Sequence, residues 1–228
     1  MDINEVFKNY VDANEDNGNL VTIAYDEMNS DQYEEAAAHF DQLYVKDPAD
    51  YMSFFFRAMC KSHTGTRGNV YPDAQTLTSA FTMACKKAES DKKNYETNML
   101  LLLHYYADAM DNLAYNAVEE VDSNGHTSNP TRFRIKRMMR ENLIEVAKQY
   151  KDSISACEDL KAYVMDYLQK NLSFDLEGVG AAIVAYDPSF EATLKEMLKK
   201  RKIKNIIKFS IIGGIILAII IAIIVAAV

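Results

Sequence analysis

The chain has 228 residues, enough for one sizeable hydrophobic core or two small ones. Its net charge of −8 is unevenly divided, because residues 1–194 carry −14 and residues 195–208 carry +6. A body this acidic repels nucleic acid, so we expect no nucleic-acid partner, whereas the basic segment attracts anionic lipid headgroups.

Helix-breaking residues are scarce in the sequence, which has four prolines and eight glycines. Because residues 1–208 also lack alternating β-branched runs, we predict an all-α body. The N-terminal stretch "MDINEVFKNYVDAN" has neither a basic start nor an apolar run, so we expect no signal peptide.

One predicted helix pair carries a regular spacing of aromatic and small residues. Tyr33, Ala36 and Phe40 lie three and four apart, Pro48 follows, and Ala24 stands on the preceding helix. This pattern resembles a tetratricopeptide repeat, in which two antiparallel helices cross closely at a small residue. In this first unit Asp31 replaces the usual turn glycine, and the next unit keeps the register only in part. The resemblance implies TPR-like antiparallel helix pairs over residues 1–90.

Two longer apolar series follow within residues 91–172. Apolar side chains recur every three or four residues from Tyr95 to Val121 and again from Met139 to Leu168. The polar stretch "DSNGHTSNP" separates them, so we predict a long antiparallel helical hairpin with a break near Asp152. Its middle contains "TRFRIKRMMR", residues 131–140, with five positive charges.

The C-terminal quarter is predicted to hold a hinge, a basic helix and a membrane span. Residues 173–205 begin with a glycine-containing connection and continue as a basic juxtamembrane helix after Pro188. Residues 206–228 are predicted to be a transmembrane tail anchor, because the twenty residues from Phe209 to Val228 carry no charge. As a helix they would span about 30 Å, which matches the bilayer core.

A membrane-surface basic collar is predicted immediately before this span. Its members are Lys199, Lys200, Arg201, Lys202, Lys204 and Lys208. The positive-inside rule then places the N-terminal domain in the cytoplasm, as in a single-pass protein. The arrangement resembles a tail-anchored protein.

The sequence offers no recognisable catalytic motif. A P-loop, a nucleophile elbow, an HExxH motif and a Cys-x-x-Cys pair are all absent, and "GVGAAI" lacks the third glycine of a dinucleotide fingerprint. Cys60 and His63 share a helix face, but zinc requires three or four ligands. We therefore predict that the protein is not an enzyme and has no metal and no cofactor.

The resemblance to tetratricopeptide repeats also implies a groove lined by the inner helices. The matching positions are Val21, Tyr25, Met28, Phe55, Met59 and His63. Relatives that clamp a peptide carboxylate place Lys and Asn there, so an apolar groove implies a different ligand, such as an amphipathic helix of a partner. Alternatively, the helix at Ile3–Val11 or the long hairpin already fills the groove.

These features predict a membrane-tethered helical scaffold that recruits a protein partner at the cytoplasmic face. The alternative is a structural accessory subunit of an integral-membrane complex. A third possibility is an enzyme whose site carries no recognisable motif. The oligomeric state is left open by the sequence.

Overall fold

A computed structural model describes residues 2–13, 18–65, 69–121, 127–204 and 206–207. The protein is all-α, as predicted. The helices are α1 (Ile3–Ala13), α2 (Gly18–Asn29), α3 (Tyr33–Lys46), α4 (Tyr51–Thr64), α5 (Val70–Ala88), α6 (Tyr95–Asn116), α7 (Pro130–Gln149), α8 (Lys151–Ser155), α9 (Glu158–Asn171), α10 (Gly178–Tyr186) and α11 (191–204). A 3-10 turn at Pro188–Phe190 precedes α11. The chain divides into unit 1, Met1–Asp166, and unit 2, Tyr167–Val228.

Unit 1 consists of packed helix pairs. Each helix from α2 to α7 packs against the next one in the chain, α4 also contacts α6, and α5 also contacts α7. Alternate helices therefore lie side by side from α4 onward, α4 beside α6 and α5 beside α7. The arrangement is compatible with a TPR-like helical fold.

The first helix pair has the close crossing that its sequence predicts. Ala24 on α2 is fully buried, and so are Ala36 and Phe40 on α3. The α2–α3 turn places Asp31 at a φ of 60°, in the left-handed region that glycine adopts most easily. The chain therefore makes the repeat-like turn with an aspartate, at some cost in backbone strain.

Side-chain caps define where the following helices begin. The Asp50 carboxylate accepts hydrogen bonds from the backbone N–H groups of Met52 and Ser53, at 3.1 and 3.0 Å. Asn129 caps α7 in the same way by accepting from the N–H of Arg132, and Pro130 occupies the first turn. Both caps satisfy amide groups that have no partner inside the helix.

The predicted long hairpin is shorter and more broken than its periodicity suggested. Helix α6 ends at Asn116, and a two-residue antiparallel ladder pairs Glu120–Val121 with Thr127–Ser128. The second series of apolar residues is divided among α7, α8 and α9.

Carboxylates from earlier helices hold the α8–α9 region in place. Glu89 accepts a hydrogen bond from the Ser153 hydroxyl at 2.6 Å. Glu96 accepts from the backbone N–H groups of Asp159 and Leu160, at 3.2 and 3.3 Å. Because the latter carboxylate faces the positive end of the helix dipole, it favours a new helix start at α9.

Unit 2 contains a helix where the sequence predicted a hinge-like connection. Helix α10 occupies Gly178–Tyr186, and Val179, Ala182 and Ile183 on it are buried. A Cβ atom at Gly180 would collide with the Leu194 side chain of α11. Gly180 therefore allows α10 and α11 to pack closely, and its role is packing rather than conformational freedom.

The membrane span predicted for residues 206–228 lies almost wholly outside the described residues. Within the ranges that the structure describes, no helix combines the length and the apolar character that a membrane crossing requires. The anchor therefore remains a prediction from the sequence.

Candidate functional site

The predicted partner groove is closed in the structure. Four of its six residues, Val21, Met28, Phe55 and Met59, are buried, and only Tyr25 and His63 are partly exposed. The interpretation as an open apolar groove is therefore corrected, because the four buried positions belong to the core of unit 1.

Helix α1 covers the Tyr25 side of the predicted groove, in line with one of the alternatives that the sequence left open. Phe7 is 1% exposed, and its ring stacks on Tyr25 with 3.6 Å between ring centroids. The same ring meets Phe56 edge-on at 5.8 Å. The Tyr25 hydroxyl donates a hydrogen bond of 2.6 Å to Asn4 Oδ1. A partner helix could enter this groove only by displacing α1.

His63 lies at the margin of this core. Its ring stacks on Tyr33, with 4.1 Å between ring centroids. Burial lowers the pKa of His63, and the negative charges of Asp108 and Asp31 oppose this shift in part. In the described part of the chain, no three His, Cys, Asp or Glu side chains are placed to hold a metal ion.

A cleft of about 580 Å³ lies between α1, α6 and α9 and is strongly acidic. Asp2, Asp159 and Asp166 line it together with His104 and Tyr163. Burial lowers the pKa of His104 and raises the pKa of Tyr163 to about 12. At neutral pH the imidazole and the phenol are both uncharged, so the carboxylates determine the charge of the cleft, which disfavours anionic ligands.

Among the described residues, Tyr115 and Phe133 are the most exposed large apolar side chains, and both lie at one end of the α6–α7 pair. Tyr115 is 78% exposed, Phe133 is 76% exposed, and Val118 is 58% exposed. Asp111 and Lys136 form an ion pair of 3.1 Å between these helices. Since Tyr115 lies one turn from Asp111 and Phe133 lies one turn from Lys136, the two aromatic rings share one side of the pair.

Cationic side chains flank Phe133 along α7. Arg132, Arg134 and Arg137 are exposed on the same turns of α7. The Arg134 guanidinium lies over the Tyr71 ring at 4.1 Å, and Arg137 Nε donates to Glu141 Oε1 at 2.7 Å. We call the set Tyr115, Val118, Arg132, Phe133, Arg134 and Arg137 the aromatic–basic surface. The sequence showed its charges, but a lone Phe in a helical pattern is typical of a core and gave no sign of exposure.

The described part of the predicted basic collar is exposed on α11. Lys199, Lys200, Arg201, Lys202 and Lys204 all face solvent, and Lys208 lies outside the described residues. Lys200 pairs with Glu196 one turn earlier, at 2.7 Å. Because both side chains are exposed, this pair contributes little to stability.

Comparisons with protein-family models, with curated proteins and with solved structures gave no match to this chain. The fold itself defines the class of protein: an all-helical chain of packed helix pairs, with a basic helix at the C-terminal end of the described residues.

Proposed function

We propose that the protein is a membrane-tethered helical scaffold that recruits a protein partner through the aromatic–basic surface. The observation that carries this proposal is the exposure of Tyr115 and Phe133, which are both more than three-quarters accessible to solvent. A single chain gains nothing by exposing two aromatic rings on one side of a helix pair, whereas burying such side chains in an interface is worth roughly 1.5–3 kcal/mol each.

The composition of the surface matches that of a binding hot spot. Tyr, Phe and Arg are enriched at the centres of protein interfaces, and truncating such residues commonly costs more than about 2 kcal/mol of binding energy. The rings are held on two paired helices, so little entropy is lost when they dock. This rigidity supports a preformed docking surface.

The charge of the surface indicates the kind of partner. Arg132, Arg134 and Arg137 stand out from a body that carries a net charge of −14 over residues 1–194. An acidic segment with an apolar side chain would be attracted here and repelled by most of the remaining body. This contrast would fix both the site and the orientation of the partner.

The proposed tether is the sequence-predicted anchor at residues 206–228. It would hold unit 1 at the cytoplasmic face and raise its concentration near membrane-bound partners. In the alternative role, as an accessory subunit, the same surface would pack permanently against an integral-membrane complex.

Site-directed photocrosslinking of the full chain in its native membranes tests this proposal. A photoreactive phenylalanine at position 133 should give a discrete crosslinked product, and the same probe at exposed Val45 on α3 should not. Arg132→Glu should remove the product, whereas Lys148→Glu, an exposed charge reversal on the same helix, should leave it.

Identical products from positions 133 and 45, or a product that survives Arg132→Glu, would overturn the proposal. Retention of the partner at high salt separates the role of a recruiting scaffold from that of a permanent accessory subunit. A recruited partner should be lost in a high-salt wash of detergent-solubilised membranes, and a permanent subunit should stay bound.

A further inference from the structure

Unit 2 contains a cleft with an apolar floor and a cationic rim. Its volume is about 560 Å³, within the range of small-molecule sites. The floor is formed by Leu172, Leu176 and Met197. The rim carries Lys170, Lys200, Arg201 and Lys204, with Gln169 and Ser173 beside them.

The helical spacing of α11 explains how both parts of the cleft come together. Met197, Lys200 and Lys204 are separated by three and four residues, so they form one stripe along the helix. The end of α9 and the turn after it supply the opposite wall, with Leu176 almost fully buried. A ligand in the cleft would therefore touch ammonium groups and methylene groups at the same time.

This combination matches the two halves of an anionic phospholipid. Ammonium and guanidinium groups make charge-assisted hydrogen bonds to phosphate oxygens. The apolar floor suits the glycerol and the first methylenes of an acyl chain, which free phosphate lacks. Lys204 precedes the uncharged run that begins at Phe209 by five residues, about 7 Å along a helix, so the rim would lie at headgroup level.

From this geometry we infer that the cleft binds one anionic phospholipid molecule, with its phosphate on Lys200 and Lys204 and its acyl chain against Met197. The inference rests on the proposed membrane tether for its biological setting. It differs from a uniform attraction between collar and membrane, because it assigns binding to one face of α11.

The opposite face of α11 provides a matched control. The cleft there, of about 770 Å³, is lined by Lys199, Arg201 and Lys202 but also by Asp175 and Glu177. Two carboxylates repel an anionic headgroup. Removing Lys199 and Lys202 thus subtracts the same charge from α11 as removing Lys200 and Lys204, without touching the proposed site.

The test uses the full chain in neutral detergent micelles and short-chain lipids, followed by native mass spectrometry. The wild type should bind one dioctanoyl phosphatidate and should not retain dioctanoyl phosphatidylcholine. Lys200→Gln with Lys204→Gln should weaken phosphatidate binding about tenfold or more, and Lys199→Gln with Lys202→Gln should leave it nearly unchanged. Glu196→Gln, which releases Lys200 from its ion pair, should tighten binding.

Equal loss in the two lysine double variants would overturn the inference, because it would indicate uniform electrostatic attraction. Competition by glycerol phosphate at the same concentration as the lipid would reduce the cleft to a phosphate site and would also overturn it. Met197→Gln should weaken lipid binding, and it should not change how well glycerol phosphate competes with the lipid. Insertion of the span is measured separately by alkaline extraction, so a failed tether and a failed lipid site give different results.

Discussion

Replacing Phe7 with alanine tests whether α1 belongs to the core of unit 1. The ring is 1% exposed and contacts Tyr25, Tyr10 and Phe56, with centroid distances of 3.6, 5.5 and 5.8 Å. Removing a buried Phe ring costs about 3–5 kcal/mol, since both the transfer energy and the cavity contribute. We therefore expect Phe7→Ala to destabilise the protein by about 4 kcal/mol.

The size of unit 1, Met1–Asp166, converts this energy into a temperature shift. For a domain of this size, each kcal/mol changes the melting temperature by about 2–4 °C, so Phe7→Ala should lower it by roughly 8–16 °C. Circular dichroism at 222 nm follows the loss of helix on heating. Tyr115→Ala is the matched control: its ring is 78% exposed, and its removal should change stability by less than about 0.5 kcal/mol.

Equal melting temperatures for the wild type and Phe7→Ala would refute the covered groove. The groove would then be open to a partner helix, as the TPR-like pattern first suggested. Tyr25→Phe provides an independent check, because it removes only the hydroxyl that donates to Asn4 and should cost about 1 kcal/mol.

Four further predictions follow from local features and can be measured by thermal or denaturant unfolding. Asp31→Gly should stabilise the α2–α3 turn by a few tenths of a kcal/mol up to about 1 kcal/mol, whereas Asp31→Val should destabilise it, because a β-branched residue tolerates a φ of 60° poorly. Glu96→Ala should cost about 1 kcal/mol through loss of the α9 cap, and exposed Glu145→Ala should cost nothing measurable. Gly180→Ala should cost about 1–3 kcal/mol by collision with Leu194, and adding Leu194→Ala should remove that collision, so the two changes together should cost less than the sum of their separate costs. Because burial lowers the pKa of His63, this side chain binds a proton more readily in the unfolded chain than in the folded one. The contribution of His63 to the free energy of unfolding should therefore be complete above a pH of about 6.5 and should be lost as the pH falls below that value. The free energy of unfolding of His63→Gln should depend less steeply on pH in this range.

Periodicity predicted the helix faces well where one residue decides a close contact. Ala24, Ala36 and Phe40 are buried as their spacing indicated, because a helix crossing leaves room for only small residues at fixed positions. The same reasoning failed for α10, where two glycines suggested a hinge. A glycine needed for conformational freedom and one needed for close packing look alike in a sequence, and only the position of Leu194 distinguishes them.

The candidate site was harder to predict than the fold. Apolar spacing shows which face of a helix avoids water, but it does not show which neighbour covers that face. Val21, Phe55 and Met59 are buried in unit 1, and the Phe55 ring lies against Phe56 of its own helix and Phe81 of α5. Conversely, Phe133 is a large apolar side chain on a helix, yet three-quarters of its surface is exposed.

The two proposed binding surfaces are both basic, so charge alone cannot separate their ligands. Their apolar parts differ in shape. Phe133 projects into solvent, which suits a pocket on a folded partner, whereas Leu176 is almost fully buried in the cleft proposed for the acyl chain. Higher salt should therefore weaken both associations, because both depend on exposed cations.

Substitutions of the apolar residues should separate the two surfaces where salt does not. Phe133→Ala should abolish the protein crosslink formed by a probe at position 115 and leave phosphatidate binding unchanged. Met197→Gln should have the opposite effect. If either substitution impaired both associations, the surfaces would be coupled, and the separate assignment of a protein partner to α6–α7 and a lipid to α11 would be wrong.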